Sequence, residues 1–360
     1  MPAVKPSDGP VAVTGASGYV GSHVVIALMK HGYTIHACLR DPNNPDKTEH
    51  LLALNSGDYT GHVELFTANL LEKGSYNEPF ANCCAVLHVG TPMGYGGQNS
   101  PRQIYEGALN GTKNVLDSVQ RAGTVKRFVY TSSFSAIYHP TRSGYVYTEK
   151  DWASDNREND PNWSVDRIDI DGDMSYSMAK VEVEHISNRF AEEDGRFDVI
   201  SVCPIAVLGP LLSPIHERVG SWQWYLGLML AGKPCQQNWQ SLWNIVDVRD
   251  VAESQALIIE SNVCKNGWRY MLSATDESGE LDVFQLQAHL QKLFPNIDVG
   301  GAPDAIKSII EKYGSVYQSP LAHCDKAREE LGLKTHSIEN TLYETGRTII
   351  DLGLVKPALK

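Results

Sequence analysis

Tyr176 and Lys180 stand four residues apart in Tyr176-Ser177-Met178-Ala179-Lys180. On a helix that spacing puts both side chains on one face. A free phenol has a pKa of about 10 and transfers protons poorly at neutral pH. A neighbouring ammonium favours the phenolate and turns the pair into a usable acid–base group. The chain has 16 Tyr, so the same spacing also arises as a buried Tyr and a surface Lys on an ordinary amphipathic helix. Thr131-Ser132-Ser133 argues for chemistry instead. It closes a strand-like run, and ligands of parallel α/β sheets bind outside the carboxyl ends of strands. Ser133 is then placed to donate to a carbonyl oxygen, Tyr176 to protonate it, and Lys180 to keep the phenol acidic.

A second constellation lies near the start, in Thr14-Gly15-Ala16-Ser17-Gly18-Tyr19-Val20-Gly21. Gly15 ends a strand, Gly18 lets backbone approach a pyrophosphate, and Gly21 lets helix and sheet pack closely. The helix N-terminus offers free N–H groups and a positive dipole end. A tight turn without a ligand is the plainer reading, and the strand–turn–helix context tells against it. Arg40 follows nineteen residues after Gly21, where an NAD site usually has an acidic residue for the ribose 2′-hydroxyl. A guanidinium there suits a 2′-phosphate, with Lys47 as a second cation. Asp41 supports the opposite choice. We read the set as favouring NADP(H).

These groups need elements to position them. Val11–Thr14, Thr34–Leu39, Val63–Ala68, Ala85–Val89, Arg127–Thr131 and Phe197–Cys203 read as strands. Tyr19–His31, Ser75–Ala81, Arg102–Arg121 and Met174–Phe190 read as helices between them. The alternation predicts an α/β chain, a doubly wound Rossmann sheet with a smaller, interleaved C-terminal substrate lobe. Residues 1–204 with about 243–273 are expected to form the nucleotide-binding part. Residues 205–242 and 274–360 are expected to form a mostly helical lobe. Trp222, Trp224 and Tyr225 read equally as one wall of an apolar pocket or as lobe core. Met93 and the glycines Gly94, Gly96 and Gly97 fall in a loop free to cover a ligand. The acidic segment Glu149–Asp173 shows no clean period and reads as a solvated loop. Its Asp169–Asp173 run fails as a calcium loop, because aligning Gly172 puts Arg167 and Met178 at ligand positions. No metal is expected.

Composition narrows the partners. A net charge of −12 disfavours nucleic acid and anionic membranes. The apolar run Val202–Leu212 is too short to span a bilayer and contains Pro204, Gly209 and Pro210. The first residues lack the apolar stretch of a signal peptide. Seven scattered Cys without a CxxC pair fit reduced thiols, and the location expected is cytoplasmic. A small-molecule substrate is the expected partner, with room for a homodimer.

The chain resembles an extended short-chain dehydrogenase/reductase. Within that class it is similar to the dihydroflavonol reductase, cinnamoyl-CoA reductase and yeast aldehyde (methylglyoxal) reductase group. The matching stretches are Val13–Val24, Arg40-Asp41-Pro42 with His50-Leu51-Leu52, Ala68–Leu71, Val86–Met93 and Asn110-Gly111-Thr112. Arg127–Ser133, Tyr176–Lys180, Pro204–Pro210 and Val246–Val251 continue the match, which runs nearly to Leu333. The resemblance implies that Tyr176 is the proton donor in reduction, that Lys180 holds the nicotinamide ribose, and that Ser133 polarises the carbonyl. It implies a cofactor site of Gly15, Ser17, Gly18, Tyr19, Val20, Gly21, Arg40, Lys47 and Thr131. Asn69 and Leu70 would meet the adenine, Val89, Gly90 and Thr91 the ribose and phosphates, and Pro204 and Val207 the nicotinamide end. Three positions depart from the group. Asn69 replaces Asp, Tyr138 stands near the Asn that holds a flavonoid hydroxyl, and Asp173-Met174-Ser175 replaces the Asn-Trp-Tyr-Cys of cinnamoyl-CoA reductases. Tyr138 therefore joins Met93 and the Trp222–Tyr225 group as candidate substrate contacts. The expected activity is NADPH-dependent reduction of a medium-sized, largely apolar aldehyde or ketone. An NAD-dependent sugar-nucleotide epimerase or dehydratase, a hydroxysteroid-type dehydrogenase and a non-enzymatic dinucleotide sensor are the competing readings. A sensor typically keeps the glycines but not Tyr and Lys.

Overall fold

A computed structural model describes residues 3–92, 100–141, 145–169, 172–234, 243–274, 280–302 and 321–360. The first strand, β1 (Val11–Thr14), leads into α1 (Tyr19–Lys30), β2 (Thr34–Leu39), α2 (Pro45–Leu52) and β3 (His62–Thr67). The second half-unit is β4 (Ala85–His88), α3 (Pro101–Ala122), β5 (Arg127–Thr131), β6 (Val146–Tyr147), α4 (Gly172–Asp194) and β7 (Asp198–Pro204). Then follow β8 (Ala206–Leu208), α5 (Trp222–Leu230), β9 (Trp243–Asp247), α6 (Val248–Glu260) and β10 (Trp268–Leu272). The chain ends through β11 (Glu280–Leu281), α7 (Val283–Leu293), β12 (Leu321–Ala322), α8 (Asp325–Leu331) and α9 (Ile338–Asp351).

Seven strands form one parallel sheet in the order β10-β7-β5-β4-β1-β2-β3. The order turns back between β1 and β4, and a dinucleotide binds at such a reversal. The inner strands β1, β4 and β5 are short runs buried on both faces, as parallel strands between helix layers must be. One face is covered by α1 and α6, whose Val24, Leu28, Val251 and Ile258 share a core with Val13 and Val129. The other is covered by α3 and α4, where Val115, Leu116, Met178 and Val183 pack on Val86 and Phe128. Ser100 caps α3 with a reciprocal Gln103 bond, and Gly123 ends it at φ 69°.

The structure corrects several expectations. Residues 75–81 form successive turns, not a helix. Gly74 enters with φ 79°, and Pro79 has no N–H to donate. β9, expected with the nucleotide-binding part, pairs with β8 and β11 in a separate small sheet. That sheet joins α5, α7 and α9 around Leu208, Leu226, Ile245, Leu286 and Leu342. The described part of the acidic segment is not simply solvated. Trp152 stacks on His185 with centroids 4.3 Å apart, Ala153 and Ile168 are buried, and the Glu149 carboxylate accepts from the Met271 N–H at 3.2 Å. Met93, Gly94, Gly96, Gly97, Ile170 and Asp171 lie outside the described residues.

Candidate active site

The glycine loop is built on contacts that admit no side chain. Gly15 has φ 65°, and a Cβ on it would come within 2.7 Å of the Gly90 Cα. A Cβ on Gly21 would meet the Gly15 carbonyl at 2.2 Å. Gly18 is exposed at the N-cap of α1 and carries no capping side chain, so the free end of the helix is left open. Below the loop, the Thr14 hydroxyl accepts from the Gly90 N–H at 3.1 Å and lies 2.8 Å from His88 Nδ1. His88 Nε2 reaches the Thr112 hydroxyl at 3.1 Å, which ties the loop to α3. Burial, with the Lys180 charge second, pushes His88 down to about 3.

At the end of β2, Arg40 is exposed and forms no ion pair with a described residue. Asp41 is partly engaged, since its carboxylate accepts from the Asn43 N–H at 3.1 Å. Lys47 is half-buried on α2. Val20, Val89, Gly90, Ser17 and Thr91 are half-buried along the same edge.

Beside this edge, α4 brings Tyr176 and Lys180 to the end of β5. The Lys180 Nζ lies 5.5 Å from the Tyr176 ring centroid and 4.8 Å from that of Tyr130. It donates to the Thr131 carbonyl at 2.8 Å. Burial of the ammonium pushes Lys180 down to about 8, against the pull of Glu184 and Cys203. Ser133 caps a short helical turn over Phe134–Ala136, and its Oγ accepts from the Ser135 N–H at 3.1 Å. Its own hydrogen remains available to a substrate oxygen. Pro204 ends β7 next door, and Val207 follows on β8.

The sequence profile of the NAD dependent epimerase/dehydratase family matches residues 11–270. The chain belongs to that family, the extended short-chain dehydrogenase/reductases. It is 32% identical over 296 residues to dihydroflavonol 4-reductase of Hordeum vulgare, covering 81% of this chain and 77% of that protein. It is 29% identical over 338 residues to a cinnamoyl-CoA reductase of Medicago truncatula, covering 93% and 94%. The fold of Gre2 from Candida albicans, solved in complex with NADPH, superposes with a TM-score of 0.76 at 23% identity, covering 95% of this chain and 99% of that one.

Not every expected residue of this extended short-chain dehydrogenase/reductase is free to meet a ligand. Tyr19 turns its hydroxyl to the Gly209 carbonyl at 2.9 Å and bridges α1 to the lobe. Asn69 spends its side-chain oxygen on the Leu71 N–H at 3.2 Å. Leu70 fills the space over Gly111 of α3, where a Cβ would meet it at 2.3 Å. Tyr225 is buried in the lobe core with Leu226, Met229 and Leu230, which share its helix face, so it is not a pocket wall. Trp222 and Trp224 are half-buried on the margin of that core. Tyr138 is 47% exposed and leans on Phe134 and Tyr147, forming an aromatic surface beyond Ser133.

Two features were not anticipated. Glu184, four residues beyond Lys180, pairs with Arg269 in the buried floor of the site at 2.8 Å. Its helix spacing was a usable signal. His139, Asp151 and Asp155 bring ligand atoms within 4.8 Å of one another, although no metal site was expected. Asp151 already accepts from the Tyr145 hydroxyl, the Thr148 N–H and the Thr148 hydroxyl.

Proposed function

We propose that this protein is an NADPH-dependent reductase of a medium-sized, largely apolar aldehyde or ketone. The observation that carries the reading is the Tyr176–Lys180 pair beside Ser133, at the strand ends that border the glycine loop. The residues fit a dinucleotide. Gly15, Gly21 and Gly90 pack too closely on one another's backbone to admit a side chain, Gly18 leaves the N-terminus of α1 open to a pyrophosphate, and the exposed Arg40 suits a 2′-phosphate. Bound NADPH supplies a hydride to the carbonyl carbon. The oxygen then gains charge and needs a proton. Ser133 holds that oxygen by its hydroxyl, and Tyr176 delivers the proton. Lys180 keeps the phenol acidic and holds the ribose. The aromatic surface of Phe134 and Tyr138, backed by the buried Tyr147, supports an apolar substrate. The relatives' names, dihydroflavonol 4-reductase and cinnamoyl-CoA reductase, support carbonyl reduction. We place the enzyme in the cytoplasm.

NADPH oxidation measured over a panel of aldehydes, ketones and nucleotide sugars tests the reading. Turnover of apolar carbonyls with NADPH is expected. Turnover of nucleotide sugars alone, with NAD, would overturn it in favour of an epimerase or dehydratase.

A further inference from the structure

Glu184 has no part in the chemistry assigned above, yet it is fully buried. It lies four residues past Lys180 and eight past Tyr176, so it continues the reactive face of α4 by one turn. Its carboxylate gathers groups from two strands. The Ser132 hydroxyl donates to Oε1. Arg269 of β10 donates from Nε to Oε2 at 2.8 Å and from Nη2 to Oε1 at 3.2 Å. The same guanidinium reaches the carbonyls of Asp151 at 2.7 Å and Ala136 at 3.2 Å, and lies 3.9 Å over the Trp152 ring. Ala136 closes the short turn that Ser133 caps. One carboxylate therefore joins the Tyr–Lys helix to the strand end that carries Ser133 and to the segment beneath it.

A buried ion pair is a poor device for stability alone, since apolar groups of similar volume often serve as well. What this pair adds is fixed geometry and a negative charge beside a buried cation. We propose that Glu184 is a positioning residue for the reduction: through Ser132 it fixes Ser133 against Tyr176, and its charge compensates the buried Lys180 ammonium. The proposal rests on the reductase reading.

Several groups face Lys180. Tyr176 and Glu184 share its helix, Tyr130 comes from β5, His88 from β4 and Cys203 from β7. Burial holds His88 near 3, pushes Cys203 up to about 12 and pushes the Tyr130 phenol well up, so these three are neutral at working pH. Arg269 is bonded directly to Glu184. Glu184 is thus the anion that keeps Lys180 charged.

Glu184→Gln keeps the shape and removes the charge. Its kcat should fall at least about tenfold, as a small misplacement of a reacting group can. NADPH affinity at pH 6 should be unchanged. On a Tyr176→Phe background, where the phenol no longer titrates, NADPH affinity should fail about one pH unit lower than in the same background with Glu184 intact. Glu184→Asp should restore part of both effects. If Glu184→Gln does not fold, Glu184→Gln with Arg269→Met removes the pair together, and the same two changes are expected. A folded variant with the original kcat overturns the proposal. So does a fall in kcat with an unmoved binding profile, because lost packing alone would cause that. Failure of the reductase reading looks different: the unaltered protein then reduces no carbonyl, or Tyr176→Phe is fully active.

Discussion

At the residue scale, the site rests on groups whose ordinary chemistry is changed by where they sit. Tyr176 alone is assigned to proton delivery. Tyr176→Phe keeps the ring and removes only the hydroxyl. Turnover should fall by about 10²–10⁴-fold, the usual contribution of general acid catalysis, while NADPH binding stays close to normal. Single-turnover kinetics beside a fluorescence titration check both halves; a full-speed variant would remove Tyr176 from the mechanism. Arg40 is a second case. It is exposed at the end of β2, has no described ion-pair partner, and is the residue we propose for the 2′-phosphate. Arg40→Ala should weaken NADPH by about 1.5–3 kcal/mol, the value of a hydrogen bond to a charged group, and leave NADH nearly unaffected. Titration of the variant with both cofactors decides it, and equal losses would exclude Arg40 from cofactor choice.

At the element scale, α1 and α5 each carry a prediction. An added methyl at Gly21 would sit 2.2 Å from the Gly15 carbonyl, so α1 must back away from the loop. Gly21→Ala should therefore lower both stability and dinucleotide affinity, read by a melting curve and a titration. On α5, Tyr225 faces the lobe core, whereas Trp224 is only half-buried at its margin. Tyr225→Ala should cost about 3–5 kcal/mol of stability. Trp224→Ala should raise KM for bulky substrates with NADPH affinity intact; unchanged kinetics would remove Trp224 from the pocket. These two elements also mark how far the sequence could be read. The strands at Val11–Thr14, Thr34–Leu39 and Arg127–Thr131 were legible because each is a largely apolar run stopped by polar or turn residues. The turns at 75–81 mimic a helix in apolar spacing, and only Gly74 and Pro79 betray them. The small sheet of β8, β9 and β11 was not legible, because its strands are short and paired across long stretches of chain. Tyr176, Lys180 and Glu184 share a helix face that spacing alone discloses. Arg269 lies 85 residues beyond Glu184, and only the adjacency of β7 and β10 brings them together.

At the scale of the whole molecule, buried imidazoles make stability depend on pH. His23 and His216 sit at the joint between α1 and the lobe, where His23 Nε2 meets the Pro210 carbonyl at 2.9 Å and His216 Nδ1 accepts from the Leu212 N–H at 3.3 Å. Burial holds His23 down to about 4 and His216 to about 3, and His88 under the glycine loop is held to about 3 in the same way. Unfolded, each returns to about 6.5. Between those values these three imidazoles bind three more protons in the unfolded chain than in the folded one, so their contribution makes stability fall as pH drops through that window. Three protons correspond to about 4 kcal/mol per pH unit, a large share of a typical folding free energy. His31 has the opposite sign. Its bonds to Glu253 and Glu260 raise it to about 10, so its contribution is complete below about 6.5 and is lost as pH rises towards 10. His50, also lowered by burial, adds to the acid side, and His336, raised by its bond to Asp250, joins His31 on the other, so stability should peak close to pH 6.5 and fall more steeply below it. Melting temperatures from pH 4 to 8 measure this directly. His216→Asn keeps an acceptor for the Leu212 N–H but cannot take up the proton, so it should reduce the acid slope by one proton's share, about 1.4 kcal/mol per pH unit. A melting temperature that stays level between pH 6.5 and 5 would mean that these imidazoles are open to water, and that the lobe is not closed onto α1 as the Tyr19–Gly209 bond requires.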